Sequence, residues 1–130
     1  AIGGAGGARV AIATAPCFAS GEQPGGGRWP EDDPARLAVY NDVVAQVAAA
    51  HPGLVSVVPL GALVCPAGHV QTQVDGVTVR APDGIHYPYY SFGDPDSADP
   101  DTAAQTASFA AWLAPRILPT LLGRTVASSG

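Results

Sequence analysis

A chain of 130 residues with 47% apolar and 13% charged positions has room for one globular domain with one modest core. A net charge of −5, with six basic residues in all, leaves no basic stripe for nucleic acid and no polybasic patch for anionic lipid, which argues against both as partners. No uninterrupted apolar run reaches the roughly 18 residues of a bilayer span, and the nearest stretch, 103–122, is broken by Pro115, Arg116 and Pro119.

Taken in chain order, Arg9 to Ala15, with Val10, Ala11, Ile12, Ala13 and Thr14, lacks polar alternation, which predicts a strand covered on both faces and ended by Pro16. Positions 17–33 hold Gly21, Gly25–Gly27, Pro24 and Pro30 without apolar periodicity and predict a long surface loop. Asp33-Pro34 is a helix start, since the carboxylate caps free N–H groups and proline suits the first helical position. Leu37, Tyr40, Val43, Val44, Val47 and Ala48 then predict one buried stripe, and Pro52-Gly53 a stop. Asn41-Asp42 lies inside this helix and has a structural role, as does His51 in its last turn.

Val55, Val57 and Val58 predict a second buried strand, so the order strand, helix, strand is that of a parallel α/β sheet. If the two strands are neighbours, their C-terminal ends bring Cys17 and Cys65 within bridging range. These cysteines form no CxxC pair and lack clustered histidines; they read as a disulfide in an oxidising compartment, with two buried free thiols as the alternative. From His69 to Arg80 the valines alternate around Asp75-Gly76, which predicts a β-hairpin with His69 facing water at its base.

Asp83-Gly84-Ile85-His86 follows. A carboxylate three positions before an imidazole can hold the ring in one tautomer and stabilise the imidazolium, so that the other nitrogen takes a proton from a hydroxyl nucleophile. The spacing alone is a weak signal, and a turn cap beside an ordinary surface histidine is the competing reading. Asp94 to Asp101 is a solvated acidic loop, with weak calcium binding as its alternative. Asp101 is expected to cap a final helix carrying Phe109, Trp112 and Leu113, with a break at Pro115 before Ile117 and Leu118, and a tail that frays after Arg124.

The chain has no Met, so residue 1 is expected to be an internal position of a longer protein; its cations are all Arg, a mark of GC-rich coding rather than of function. No signal-type start is present, and an export signal or anchor is expected upstream.

In this order, the strand ending in Thr14-Ala15-Pro16-Cys17, the Pro-rich loop, the helix with Tyr40-Asn41, the second strand, Cys65-Pro66 and the Asp-Gly-Ile-His block resemble one known arrangement. Over residues 8–123 the chain resembles the C-terminal half of the SGNH (GDSL-type) hydrolase family, especially extracytoplasmic SGNH domains fused to actinobacterial membrane acyltransferases. The resemblance implies an α/β fold: part of a three-layer, parallel-sheet, flavodoxin-like SGNH hydrolase fold, with the hairpin appended. Residues 1–130 are then a single domain, the C-terminal portion of that hydrolase domain.

It also implies that Asp83 and His86 are catalytic and that they complete a triad with a Ser from an N-terminal block which has no match here. None of Ser20, Ser56, Ser91, Ser97, Ser108, Ser128 or Ser129 has the setting of that block. The implied activity is that of an esterase or O-acyltransferase on cell-envelope carbohydrate esters, without cofactor or metal, outside the cytoplasm and tethered through an upstream part. Its implied partners are the acyl-ester or glycan substrate, the N-terminal half of the same domain and an upstream membrane acyltransferase domain. These residues without that half are expected to be inactive and to leave a strand edge and apolar surface uncovered. Trp29, Tyr87, Tyr89 and Tyr90 are candidate substrate-binding residues, as a stacking wall for a sugar, with packing as the alternative. A non-catalytic glycan-binding or assembly domain on the same scaffold is the competing function; a metal-dependent hydrolase using Asp83 and His86 is weaker, for want of further ligands at suitable spacing.

Overall fold

The computed structural model describes residues 9–19, 29–88 and 100–123 and shows a mixed α/β arrangement. Strand β1 (Val10–Ala13) places branched Val10 and Ile12 on one face, and β2 (Val55–Val58) runs parallel beside it, Val10 opposite Val55 and Ala13 opposite Val58. Helix α1 (Pro34–Ala50) supplies the crossover that parallel neighbours require. Its start is as expected: Asp33 Oδ1 accepts a hydrogen bond from Ala35 N–H at 2.9 Å, and Pro34 takes the first helical position. A single 3-10 turn at Pro30–Asp32 leads into it.

Two expectations for this unit need correction. Strand β1 is not covered on both faces, because Ala11 and Ala13 are exposed while Val10 and Ile12 are half-buried. Helix α1 is also turned from the predicted stripe: Tyr40 and Val43 stay 47% and 50% exposed, and the inward side runs through Leu37, Asn41, Val44 and Ala48. Asn41 gives the reason. Its Oδ1 accepts from Ala15 N–H at 2.8 Å and its Nδ2 donates to Ala15 O at 3.0 Å, clasping both polar groups of a residue just past β1. Two hydrogen bonds to otherwise unpaired backbone outweigh the burial of one more valine face.

Helix α2 (Leu60–Val64) and a 3-10 turn at Pro66–Gly68 carry the chain from β2 to the hairpin of β3 (Gln73–Val74) and β4 (Val77–Thr78). Asp75 and Gly76 have φ of +52° and +76°, the pair of left-handed conformations that a type I′ turn requires. Asp75 has a second task. Its Oδ2 accepts from Trp112 Nε1 and from Arg116 Nη2, each at 3.1 Å, and Arg116 stacks 4.3 Å over the Trp112 ring.

Those partners lie on α3 (Pro100–Leu121), which packs against β4 and β2. The expected break at Pro115 does not occur; the helix runs through Pro115 and Pro119, and Asp101 sits in its first turn instead of capping it. Each proline removes one backbone donor, and the helix runs on while Phe109 and Trp112 are buried against the core.

Val64, Cys65, Val79, Phe109 and Trp112 form the core, with Cys17, Leu60 and Tyr87 packed on it. Cys17 and Cys65 are joined as a disulfide, their Cα atoms 6.0 Å apart, which decides between the two readings of these cysteines. Among the described residues no helix is long and apolar enough to cross a membrane. His69 is exposed, and His51 closes α1 through its backbone N–H. Tyr89, Tyr90, most of the predicted 17–33 loop, the acidic loop up to Asp99 and the tail after Gly123 lie outside the described residues.

Candidate active site

The Asp-Gly-Ile-His block forms a tight turn at the exit of the hairpin. Ala81 N–H donates to His86 O at 2.8 Å and Gly84 N–H to Ala81 O at 2.9 Å, so the turn is closed by its own backbone. Gly84 has φ of +69°, and a Cβ there would stand 2.8 Å from Ala19 Cβ; only glycine fits both the conformation and the space. Its carbonyl accepts from Ala19 N–H at 3.0 Å, which fastens the turn to the segment leaving β1.

Within the turn one carboxylate does three things. Asp83 Oδ1 accepts from the N–H groups of Ile85 and His86 at 2.8 and 3.0 Å, and Oδ2 lies 2.7 Å from His86 Nδ1. An ionised carboxylate only accepts, so the proton of the neutral ring sits on Nδ1 and the lone pair on Nε2. The structure thus brings the two predicted residues together in the geometry of an imidazole with its orienting acid, on side chains that remain 58% (His86) and 44% (Asp83) exposed.

Those bonds favour the charged carboxylate. The hydrogen bond from His86, then the two backbone N–H groups, lower the Asp83 pKa from 3.8 to about 2. A depressed acid stabilises the fold above its unfolded value, so this contribution is complete above pH 3.8 and is lost as pH falls through about 2. Carboxyl-carbon NMR should find the Asp83 midpoint near 2; a midpoint at 3.8 would mean that the pair does not form in solution.

Tyr87 and Trp29 are placed differently. Tyr87 stacks on Phe109, ring centroids 5.2 Å apart, with Arg80 4.3 Å over its ring and its hydroxyl buried without a hydrogen-bond partner. Burial pushes its phenol pKa up, against the opposing charge of Arg80. It packs the turn onto the core and also lines an open, mainly apolar groove of about 700 Å³. Ala13, Thr14, Phe18, Tyr40, Leu60 and Ile85 line the same groove, so both chain neighbours of His86 border it. Trp29 is exposed before the 3-10 turn and is not among the lining residues. Ser56 lies in β2 and Ser108 on α3, while the other serines fall outside the described residues.

Sequence reading passed over Arg80, the one buried charged side chain of the described residues, 2% exposed. The available signal was its place immediately before the turn, which on its own does not tell a buried arginine from a surface one. Among the described residues no group of three or more His, Cys, Asp or Glu side chains gathers as a metal site would. No family model matches the chain, and no curated protein or solved structure matches it either.

Proposed function

We propose that these residues form the acid–base end of an SGNH-type serine esterase or O-acyltransferase domain, with the three-layer, flavodoxin-like fold of that family, acting on acyl esters of cell-envelope carbohydrates. The observation that carries the reading is the 2.7 Å contact between Asp83 Oδ2 and His86 Nδ1 on a turn fixed by Asp83 Oδ1. In this reading a serine from an N-terminal block attacks the ester carbonyl, and His86 Nε2 removes its proton as the tetrahedral intermediate forms. The resulting imidazolium, stabilised by Asp83, returns that proton to the leaving alkoxide, and the acyl group stays on the serine. Water or a glycan hydroxyl then gives up its proton to His86 and takes the acyl group, and His86 returns that proton to the departing serine oxygen, so hydrolysis and transfer differ by the acceptor alone.

The Cys17–Cys65 disulfide supports a site of action outside the cytoplasm, where such bonds persist. The exposed Ala11 and Ala13 face of β1 and the apolar groove are surfaces that the N-terminal half of such a domain would cover. The test is hydrolysis of p-nitrophenyl acetate and of an O-acetylated glycan by the full-length protein. Turnover with a covalent acyl-serine trapped from either ester supports the reading. Failure of both esters, with glycan binding retained, favours a non-catalytic domain.

A further inference from the structure

Arg80 is buried, yet neither ion pair of the described residues includes it; those are Asp83 with His86 and Asp75 with Arg116. Its partners are neutral: the Tyr87 ring, 4.3 Å away, and two backbone carbonyls. Nη1 donates to Ile85 O at 3.0 Å, Nη2 donates to Cys17 O at 2.8 Å, and Nε is buried without an acceptor. A desolvated cation in such company is a poor choice for stability alone, since an apolar side chain of similar volume fills the space without the cost of burying charge.

The placement of one of these bonds gives the cation a use. Ile85 C=O and His86 N–H belong to the same peptide unit, which is planar. Arg80 holds that plane by its oxygen, and Asp83 Oδ1 holds it by its N–H at 3.0 Å. Fixing the oxygen fixes the direction in which the N–H points, and a cation on the carbonyl polarises the amide and strengthens it as a donor. The second bond, to Cys17 O, ties the guanidinium to the disulfide-bridged segment, so the plane is referenced to the core.

We infer that Arg80 is a positioning residue: through the Ile85–His86 peptide it holds Asp83 in the orientation that lets its other oxygen direct the His86 ring. The inference rests on the proposed acyl transfer for its catalytic consequence, but not for its geometry.

The experiment uses the full-length protein and two variants, Arg80→Met and, as a control of general loosening, Asp75→Asn. Carboxyl-carbon NMR reads the Asp83 pKa in each. In wild type it lies at about 2; in folded Arg80→Met it moves up toward 3.8, while Asp75→Asn lowers the melting temperature and leaves Asp83 at about 2. If Arg80→Met does not fold, Arg80→Gln, neutral and too short to bridge both carbonyls, is read in its place.

Asp83 unmoved in the folded variant, or moved equally by Asp75→Asn, overturns the inference; so does failure of both Arg80 variants to fold, which assigns the arginine to stability alone. With an ester substrate, Arg80→Met should lower kcat about tenfold at unchanged KM. A wild type without turnover overturns the acyl-transfer reading and leaves the Asp83 titration to judge Arg80.

Discussion

Replacing His86 with alanine in the full-length protein should lower kcat/KM for p-nitrophenyl acetate by about 10³-fold or more, because the serine loses the only base that takes its proton in the proposed mechanism. The fold should survive. The His86 side chain is 58% exposed, and the backbone bonds that close the turn, Ala81 N–H to His86 O and His86 N–H to Asp83 Oδ1, do not need the ring. A melting temperature close to wild type is therefore the companion result, since exposed substitutions of this kind shift stability by about 0.5 kcal/mol or less.

Asp83→Asn sharpens the same test. The amide oxygen can still accept from Ile85 and His86 N–H, but its NH₂ group then faces Nδ1 and favours the ring tautomer with its proton on Nε2. Turnover should fall by about 10²-fold to 10⁴-fold in a folded protein. Unchanged kcat/KM in folded His86→Ala would remove acid–base catalysis by this pair.

The second large effect concerns stability. Converting Cys17 and Cys65 to alanine should destabilise the fold by about 4 kcal/mol on the chain-entropy account, because the bridge joins positions 48 apart in sequence. For a domain of this size that is a fall of roughly 15 °C in melting temperature. The effect should also reach the candidate site. The bridged segment supplies Cys17 O to Arg80 and Ala19 N–H to Gly84 O, so the turn loses its anchor when the segment loosens. Calorimetry of the double variant and of the reduced wild type checks the first part. A shift below about 2 °C would mean that the unfolded chain is already restrained by other means.

The parts of this fold that were legible in the sequence are those set by near neighbours. Asp33-Pro34 caps α1 through a contact two residues long, Asp75-Gly76 dictates its turn by conformation alone, and Asp83 meets His86 across three positions. The parallel β1–β2 pair was legible because strand, helix, strand admits few alternatives, and the shared strand ends made the disulfide the better of two readings of the cysteines.

What was not legible depends on partners distant in sequence. Asn41 turns α1 by binding a residue 26 positions earlier, and nothing in the helix pattern reveals that its inward side carries an amide. Arg80 binds a backbone carbonyl 63 positions away, and a carbonyl acceptor leaves no mark in sequence as a carboxylate would. Helix α3 runs through its two prolines while Trp112 and Arg116 engage Asp75 and Phe109 is buried, tertiary contacts that the local rule leaves out.

Both turns of interest are Asp-Gly steps, the sequence most prone to slow chemical ageing, in which the carboxyl carbon closes onto the next amide nitrogen and reopens with an extra methylene in the main chain. Closure requires the carboxylate to swing toward glycine. At Asp75 it is held by the indole of Trp112 and the guanidinium of Arg116, and at Asp83 by the imidazole and two backbone N–H groups. Peptide mapping after prolonged storage at neutral pH should therefore find isoaspartate at 75 and 83 in unfolded protein well before it appears in folded protein; equal rates would mean that these bonds do not restrain the carboxylates. The same contacts that shape the turns would then also set the shelf life of the molecule.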